Sequence, residues 1–307
     1  MRIVVTGKEG QIARSLAALG PHMDVEIVTA GRPELDLVVP GSIMPALTAV
    51  RPDAIVSAAA YTMVDKAETE RDLAFAVNGL GAGAVAEAAA SLGVPLLHLS
   101  TDYVFNGRKP SAYVETDPVG PICVYGASKL DGEHRAVAAA SNLAIFRTAW
   151  VYSPYGVNFL KTMLRLGETR DKLPVVADQQ GCPTSADDIA RALILAARRM
   201  VDDRDGRYRG IFHLTGAGEA SWAEFAHEIF CAAEAYERNP VEVVPITSDQ
   251  YPSPVKRPAN SRLSSDKLTH VYGITLPDWR TSTRKVVDTL LGEKRMQPRS
   301  AHSGERQ

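Results

Sequence analysis

Ile3-Val-Val-Thr6-Gly7-Lys-Glu-Gly10-Gln-Ile-Ala13, running on into Arg14-Ser-Leu-Ala-Ala-Leu19, is the segment that decides how this chain folds. Apolar, β-branched residues form a buried strand, and a GxxGxxA turn delivers the chain straight into a helix. Glycines at 7 and 10 allow a tight backbone that a diphosphate can approach, and the helix start behind them offers amides and a positive dipole end. A plain βα turn is the alternative reading. Its place, directly after an apolar strand and opening a βαβ pattern, favours a dinucleotide.

Working outward, Val25-Glu-Ile-Val-Thr-Ala30 reads as the second strand and ends without the acid that would hold a ribose 2′-hydroxyl. Gly31-Arg32 stands there instead. An arginine at that point suits a 2′-phosphate, which tilts the expected cofactor to NADPH, with NADH as the other choice; simple exposure of Arg32 is the alternative. Glu34-Leu-Asp36-Leu37 puts an acid and an apolar side chain where an adenine would lie. Ile43 to Val50 reads as a helix despite Pro45. Asp53 to Thr62 is a strand whose carboxyl end, Ala60-Tyr61-Thr62, follows a run of small residues that lets a flat cofactor rest against the backbone. Leu73 to Leu92 is an Ala-rich helix closed by Gly93. Val94 to Leu99 is the fourth strand, with His98 in its core and Ser100-Thr101-Asp102-Tyr103 at its end, where a hydroxyl can polarise a carbonyl.

The chemistry is carried by Val119-Gly-Pro-Ile-Cys-Val-Tyr125-Gly-Ala-Ser-Lys129. Pro118 and Pro121 discourage helix upstream, so a helix should begin near Tyr125. Tyr125 and Lys129 then share one face. A nearby ammonium is expected to pull the tyrosine pKa down from about 10. Such a pair suits addition of a hydride to a carbonyl and of a proton to the resulting alkoxide. Chance Tyr-x-x-x-Lys pairs on solvated helices are common, so the pair takes its meaning from the four strand ends at Gly7–Ala13, Ala60–Thr62, Ser100–Tyr103 and Trp150. A doubly wound parallel sheet lines all such ends along one edge.

Leu143 to Tyr152 reads as one strand, with Trp150 at its end either stacking on a sugar or base or filling core. Asn158 is expected to cap the helix that follows and to reach substrate. Ser185, Asp187 and Asp188 open a helix through Met200, and Gly210 to Thr215 is a further strand. Ser221-Trp-Ala-Glu224 is a capping box beginning a helix to about Tyr236. A polar, Pro-rich segment then brings Arg257, Asn260 and Arg262, whose guanidinium forks match phosphate oxygens; a solvated basic loop is the alternative. Ser264 to Leu268 and Trp279 to Leu291 read as the last helices. The expected architecture is a Rossmann-like, doubly wound α/β fold with a smaller C-terminal α/β substrate domain. Residues 1–153 and 174–216 make the first, residues 154–173 and 217–293 the second, and residues 294–307 a flexible tail.

Composition agrees with a globular enzyme: 45% hydrophobic, 23% charged and a net charge of −2 give no electrostatic case for nucleic acid or an anionic membrane. Cys123, Cys182 and Cys231 lack disulfide or zinc spacing. Neither a signal h-region nor an apolar run of the ~18 residues a span requires is present. A cytoplasmic setting is the expectation.

In order and spacing, GKEGQIA, SAAAYTMVDKAE, HLSTDYVFNG, VYGASKLDGE, FRTAWVY, ADQQGCPTSADDIA and RPANSRL over residues 1–290 resemble the dTDP-4-dehydrorhamnose reductase family of the extended short-chain dehydrogenase/reductase superfamily. The resemblance implies diphosphate contacts at Gly10, Gln11 and Ile12, adenine contacts at Asp36 and Leu37, and nicotinamide contacts at Ala60, Tyr61 and Thr62. It implies that Thr101, Asp102, Tyr103, Tyr125 and Trp150 surround a 6-deoxy-4-ketohexose, with Arg257 at its diphosphate. Tyr125 would give the proton, Lys129 would tune it and hold the ribose, and Thr101 would orient the carbonyl. Arg14-Ser15 stands where some members carry an acid for a magnesium-linked dimer, so no metal is expected, and a monomer or homodimer is. Ser57 replaces a usual asparagine. Two related readings stay open, a nucleotide-sugar epimerase or dehydratase and a non-catalytic NADP-binding regulatory subunit.

Overall fold

The computed structural model describes residues 1–296. Residues 297–307, most of the expected tail, lie outside the described residues. In chain order, β1 (Arg2–Thr6) turns into α1 (Gln11–Leu19), and β2 (Glu26–Ala30), α2 (Ile43–Val50) and β3 (Ala54–Ser57) follow. Next come α3 (Val64–Ala67), α4 (Arg71–Phe75), a π-helical turn at Ala76–Gly81 and α5 (Ala82–Leu92). β4 (Leu96–Thr101), α6 (Val124–Ala139) and β5 (Leu143–Thr148) form the centre. The remainder is β6 (Val151–Tyr152), α7 (Phe159–Leu166), β7 (Lys172–Val176), β8 (Gln180–Gly181), β9 (Thr184–Ser185), α8 (Ala186–Asp202) and β10 (Gly210–His213). It ends with β11 (Ala220–Ser221), α9 (Trp222–Glu234), β12 (Glu242–Ile246), α10 (Asp266–Tyr272) and α11 (Trp279–Met296).

Six parallel strands make one sheet in the order β10-β5-β4-β3-β1-β2. This is the expected Rossmann-like arrangement. The order reverses between β1 and β3, the place where such sheets open a crevice beyond their carboxyl ends. Strands buried on both faces read as continuous apolar runs, because each face must pack on helices. One face packs Ile3, Val5, Val56, Leu97 and Phe146 on Leu16 of α1 and Ile189 and Leu193 of α8. The other packs Val4, Ile55, Leu96 and Ile145 on Leu47 of α2, Val85 of α5 and Ala136 of α6. A separate apolar cluster, with Leu160, Leu173, Phe225, Ile229, Trp279 and Val287, joins α7, β7, α9 and α11.

Several expectations are corrected. The strand expected over 143–152 breaks after Thr148, because Trp150 turns into the left-handed region with φ 47°. β12, inside the segment read as irregular, pairs in parallel with β7 from Glu242↔Lys172 to Ile246↔Val176. Its Pro245 and its exposed or half-exposed residues throughout mark a solvated strand in a pair of two, where proline is tolerated. The helix expected over 264–268 is α10, shifted to Asp266–Tyr272. Among the described residues one helical stretch, Arg71–Leu92, is long and apolar enough to cross a membrane, yet 56% of that window is buried in the protein, as in a core helix.

Candidate active site

The glycine turn is built as its composition demands. Gly7 adopts φ +95°, closed to most side chains, and a Cβ there would just touch Ala59 at 3.4 Å, so the backbone conformation is what demands glycine. Gly10 precedes α1 in extended backbone, with no side-chain cap and no acid in the first turn of the helix. The first amides of that turn, Gln11 and Ile12 among them, receive no side-chain cap, and the space beside Gly10 is open. This uncapped, acid-free helix start fits a dinucleotide diphosphate. The Gln11 side chain is used elsewhere, its Oε1 accepting from Ser153 Oγ at 2.8 Å and Asn158 Nδ2 at 2.9 Å. Arg32 lies exposed just past β2, and among the described residues its guanidinium has no hydrogen bond or ion pair. Next to it, Lys8 Nζ donates to Arg32 O and pairs with Glu34 at 2.6 Å. Asp36 accepts from Val38 N at 3.0 Å, and Leu37 is 7% exposed, packed over Gly81.

The loop after β3 is clamped from two sides. Thr6 Oγ1 accepts both Ala58 N and Ala59 N at 3.0 Å. Asn78, in the π-turn, accepts from Tyr61 N at 2.8 Å and donates to Tyr61 O and to Ser128 Oγ, both at 3.0 Å. The Ala60–Thr62 backbone is thereby held beside α6. Tyr61's hydroxyl donates to Glu70 at 2.6 Å, and that carboxylate raises the phenol to about 12.

α6 begins at Val124, where Cys123 Sγ accepts from Gly126 N at 3.4 Å and Glu68 accepts from Val124 N at 2.8 Å. Gly126 presses so closely on the turn after β4 that a Cβ would collide with Tyr103 O. That contact sets Tyr125 beside Thr101, near enough for the threonine hydroxyl to offset part of the effect of burial on the phenol. Thr101 Oγ1 also donates to Asp102 Oδ1 at 2.9 Å, and the Tyr103 ring meets Tyr125 edge-on at 5.7 Å. Burial lifts the Asp102 carboxyl to about 7, moderated by the hydroxyls of Ser261 and Thr101. Lys129, 4% exposed, donates from Nζ to Leu99 O at 2.7 Å. Burial draws its ammonium down to about 8, with Glu133 working against that fall.

One electrostatic expectation is corrected here. Lys129 was expected to depress Tyr125, yet burial carries that phenol well above its usual range, opposed chiefly by Thr101. The cause is geometric: the ammonium is bonded to the end of β4, and desolvation of a phenolate dominates. Tyr125 therefore rests fully protonated.

The sheet edge also brings in Trp150, two residues past Thr148, which pairs in register with Thr101. Its ring stacks on Trp222 at 3.5 Å and 5°, and Trp222 Nε1 donates to Gln179 at 3.2 Å. Arg257 comes from a loop 192 residues away to pair with Asp65 at 2.8 Å, and its charge is felt at Tyr103. Asn260 and Arg262 are turned to structure: Asn260 Nδ2 donates to Ser111 O at 2.8 Å and Arg262 pairs with Glu219 at 2.9 Å. Asn158 is corrected as a substrate contact. Its Oδ1 accepts from Lys161 N at 3.0 Å and its amide donates to Gln11 and to Ser153 O at 2.8 Å, so it caps α7 and ties it to α1.

Sequence reasoning missed Thr6, Asn78, Asp65, Glu68 and Trp222. Their neighbours in space are far along the chain, and only Asp65 and Glu68, inside the VDKAE run, carried any signal.

A family model described as RmlD substrate binding domain matches residues 1–291. The chain is 55% identical over 293 residues to a dTDP-4-dehydrorhamnose reductase of Sinorhizobium fredii, spanning 95% of this chain and 99% of that one. It is 36% identical, with a TM-score of 0.87, to the crystal structure of a dTDP-4-dehydrorhamnose reductase from Clostridium acetobutylicum, over 94% of this chain and 99% of that one. A Bacillus anthracis dTDP-4-dehydrorhamnose reductase solved in complex with NADP is 34% identical, with a TM-score of 0.84, over 93% and 98%. The chain belongs to the RmlD substrate binding domain family, that of the dTDP-4-dehydrorhamnose reductases.

Proposed function

We infer that the protein reduces the C4 ketone of dTDP-4-dehydro-L-rhamnose to dTDP-L-rhamnose, using NADPH or NADH. The observation that carries this reading is the juxtaposition of Tyr125 with Thr101 at the end of β4, with Lys129 bonded to Leu99 of the same strand and the uncapped α1 turn on the same sheet edge. When bound, the nicotinamide supplies a hydride. The chain's own residues do the rest. Thr101 Oγ1 turns its proton from Asp102 to the C4 oxygen, and Tyr125 Oη delivers its proton there as charge develops, a donor kept protonated by burial. Lys129 holds the cofactor ribose and balances the phenolate left behind. Asp102, Tyr103 and Trp150 enclose the sugar, and Arg257 exchanges Asp65 for the substrate diphosphate.

The glycine turn at Gly7 and Gly10, the amides of Gln11 and Ile12, Asp36, Leu37 and the Ala60–Thr62 backbone line the cofactor, with Arg32 at a 2′-phosphate. We propose two working bodies, residues 1–153 with 174–216 for the cofactor and 154–173 with 217–293 for the nucleotide sugar. The two sheet-face clusters and the separate α7–α9–α11 cluster support that division. A cytoplasmic setting is supported by three free cysteines.

Incubating the purified protein with NADPH and dTDP-4-keto-6-deoxy-L-mannose tests the reading. Loss of nicotinamide absorbance that depends on the sugar is expected, with dTDP-L-rhamnose as product; no loss at any pH from 6 to 8 would reject it.

A further inference from the structure

Tyr125, Lys129 and Glu133 recur every four residues on α6, so hydroxyl, ammonium and carboxylate stand in one row. Glu133 is 2% exposed, and each of its oxygens is held. Oε1 accepts from Ser100 Oγ at 2.5 Å and from Arg147 Nε at 2.9 Å, and Oε2 accepts from Arg147 Nη2 at 2.6 Å. Ser100 directly precedes Thr101 on β4, and Arg147 lies on β5, one residue before the strand's end. One carboxylate thus fixes α6 to the two strands whose ends carry Thr101 and lead to Trp150. Among the described residues the Lys129 ammonium pairs with no carboxylate, and its hydrogen bond goes to Leu99 O.

We propose that Glu133 is a positioning residue for the reduction: it holds Lys129 in register with Thr101 and provides the negative charge that keeps the buried ammonium protonated. This rests on the roles given above to Tyr125 and Lys129. Titratable groups reach this stretch of α6 from the elements packed on it, except the π-turn Ala76–Gly81, which has none. His98 on β4 is held neutral by burial and by Lys129, and Arg147 on β5 is engaged by Glu133. Asp102 and Tyr103 lie on the turn after β4, and Glu68 at the end of α3 binds Val124 N. Asp72 and Arg71 on α4, Asp65 and Lys66 on α3 and Glu87 on α5 are exposed. Of all these, Glu133 alone opposes the desolvation of Lys129. Replacing it by a neutral group leaves Arg147 as an unopposed buried cation nearby, so charge and geometry both turn against the ammonium.

The test is to follow the ε-carbon resonance of Lys129 in 13C-lysine-labelled full-length protein, assigned with Lys129→Met, alongside the pH profile of kcat. Glu133→Gln should lower the Lys129 midpoint by on the order of one pH unit or more, moving the alkaline limb of kcat down by the same amount. Glu133→Asp, shorter but charged, should restore both to within a few tenths of a unit while keeping any loss of thermal stability. Arg147→Met, which leaves Glu133 unopposed, should move both upward and serves if the glutamine variant does not fold. An unmoved midpoint, or a midpoint that moves while the kcat limb stays, overturns the proposal. Wild-type turnover in Lys129→Met or Tyr125→Phe would instead reject the catalytic reading, which the resonance does not depend on.

Discussion

Tyr125 keeps its proton because burial, rather than a neighbouring charge, governs its hydroxyl. Removing that hydroxyl alone should therefore remove acid catalysis and little else. Tyr125→Phe should lower kcat by ~10²–10⁴ while NADPH affinity, measured by fluorescence titration, stays within about threefold. Turnover near the wild-type value would refute the role. Arg32 poses a cleaner charge question, since among the described residues no carboxylate pairs with its guanidinium. Arg32→Ala should weaken NADPH more than NADH; equal losses would remove the case for a 2′-phosphate contact. Both residues were legible in the sequence, Arg32 because it stands just past the second strand and Tyr125 because it stands four residues before Lys129 at a helix start marked by Pro118 and Pro121. Asn78 was not, for a single asparagine inside an Ala-rich helix has no periodic mark, and its two partners at Tyr61 and Ser128 lie 17 and 50 residues away.

Among the elements, α6 matters most, and its position depends on a missing side chain. Gly126 lets the first turn of the helix lie against Tyr103 O, and a methyl group there has nowhere to go because the obstacle is backbone. Gly126→Ala should cost about 1–3 kcal/mol by overpacking, seen as a lower thermal midpoint. It should also cut kcat by more than tenfold, since Tyr125 is pushed from Thr101. An unchanged kcat with a lowered midpoint would show that this contact stabilises without aligning. The start of α6 could be read from Pro118 and Pro121, and the glycine turn and central strands from their apolar runs. What stayed hidden was pairing between short, half-exposed segments. β12 offered only a short apolar run broken by a proline, and the break after Thr148 follows from the φ of Trp150, which no local pattern announces. The π-turn likewise leaves no trace in a 3.6-residue period, yet it is what presents Asn78 to the loop after β3.

Taken whole, the molecule buries two imidazoles and a carboxyl close to the reacting edge, and these set how its stability answers to pH. His98 is held well below its ordinary range and His213 falls to about 3, both chiefly by burial; Lys129 adds to the first and Arg147 to the second. Each binds a proton in the unfolded chain below about pH 6.5 that the folded protein refuses, so their contribution is present above that pH and is lost as pH falls. Asp102 works the other way: at about 7 it keeps its proton when folded, so its cost appears as pH rises from its unfolded value. Between pH 6.5 and 5 the unfolded state gains two protons against one retained by the fold, and stability should fall by about 1 kcal/mol per unit of pH. Asp188, also raised by burial, adds to Asp102's side as acidity increases. His213→Gln removes one of the two imidazoles, leaving His98 and Asp102 to cancel. Its unfolding free energy, from urea titrations at pH 6.5, 6.0, 5.5 and 5.0, should be nearly flat where the wild type slopes. Parallel slopes for the two proteins would mean that His213 takes up its proton while folded, and the buried side of β10 would then be open to water.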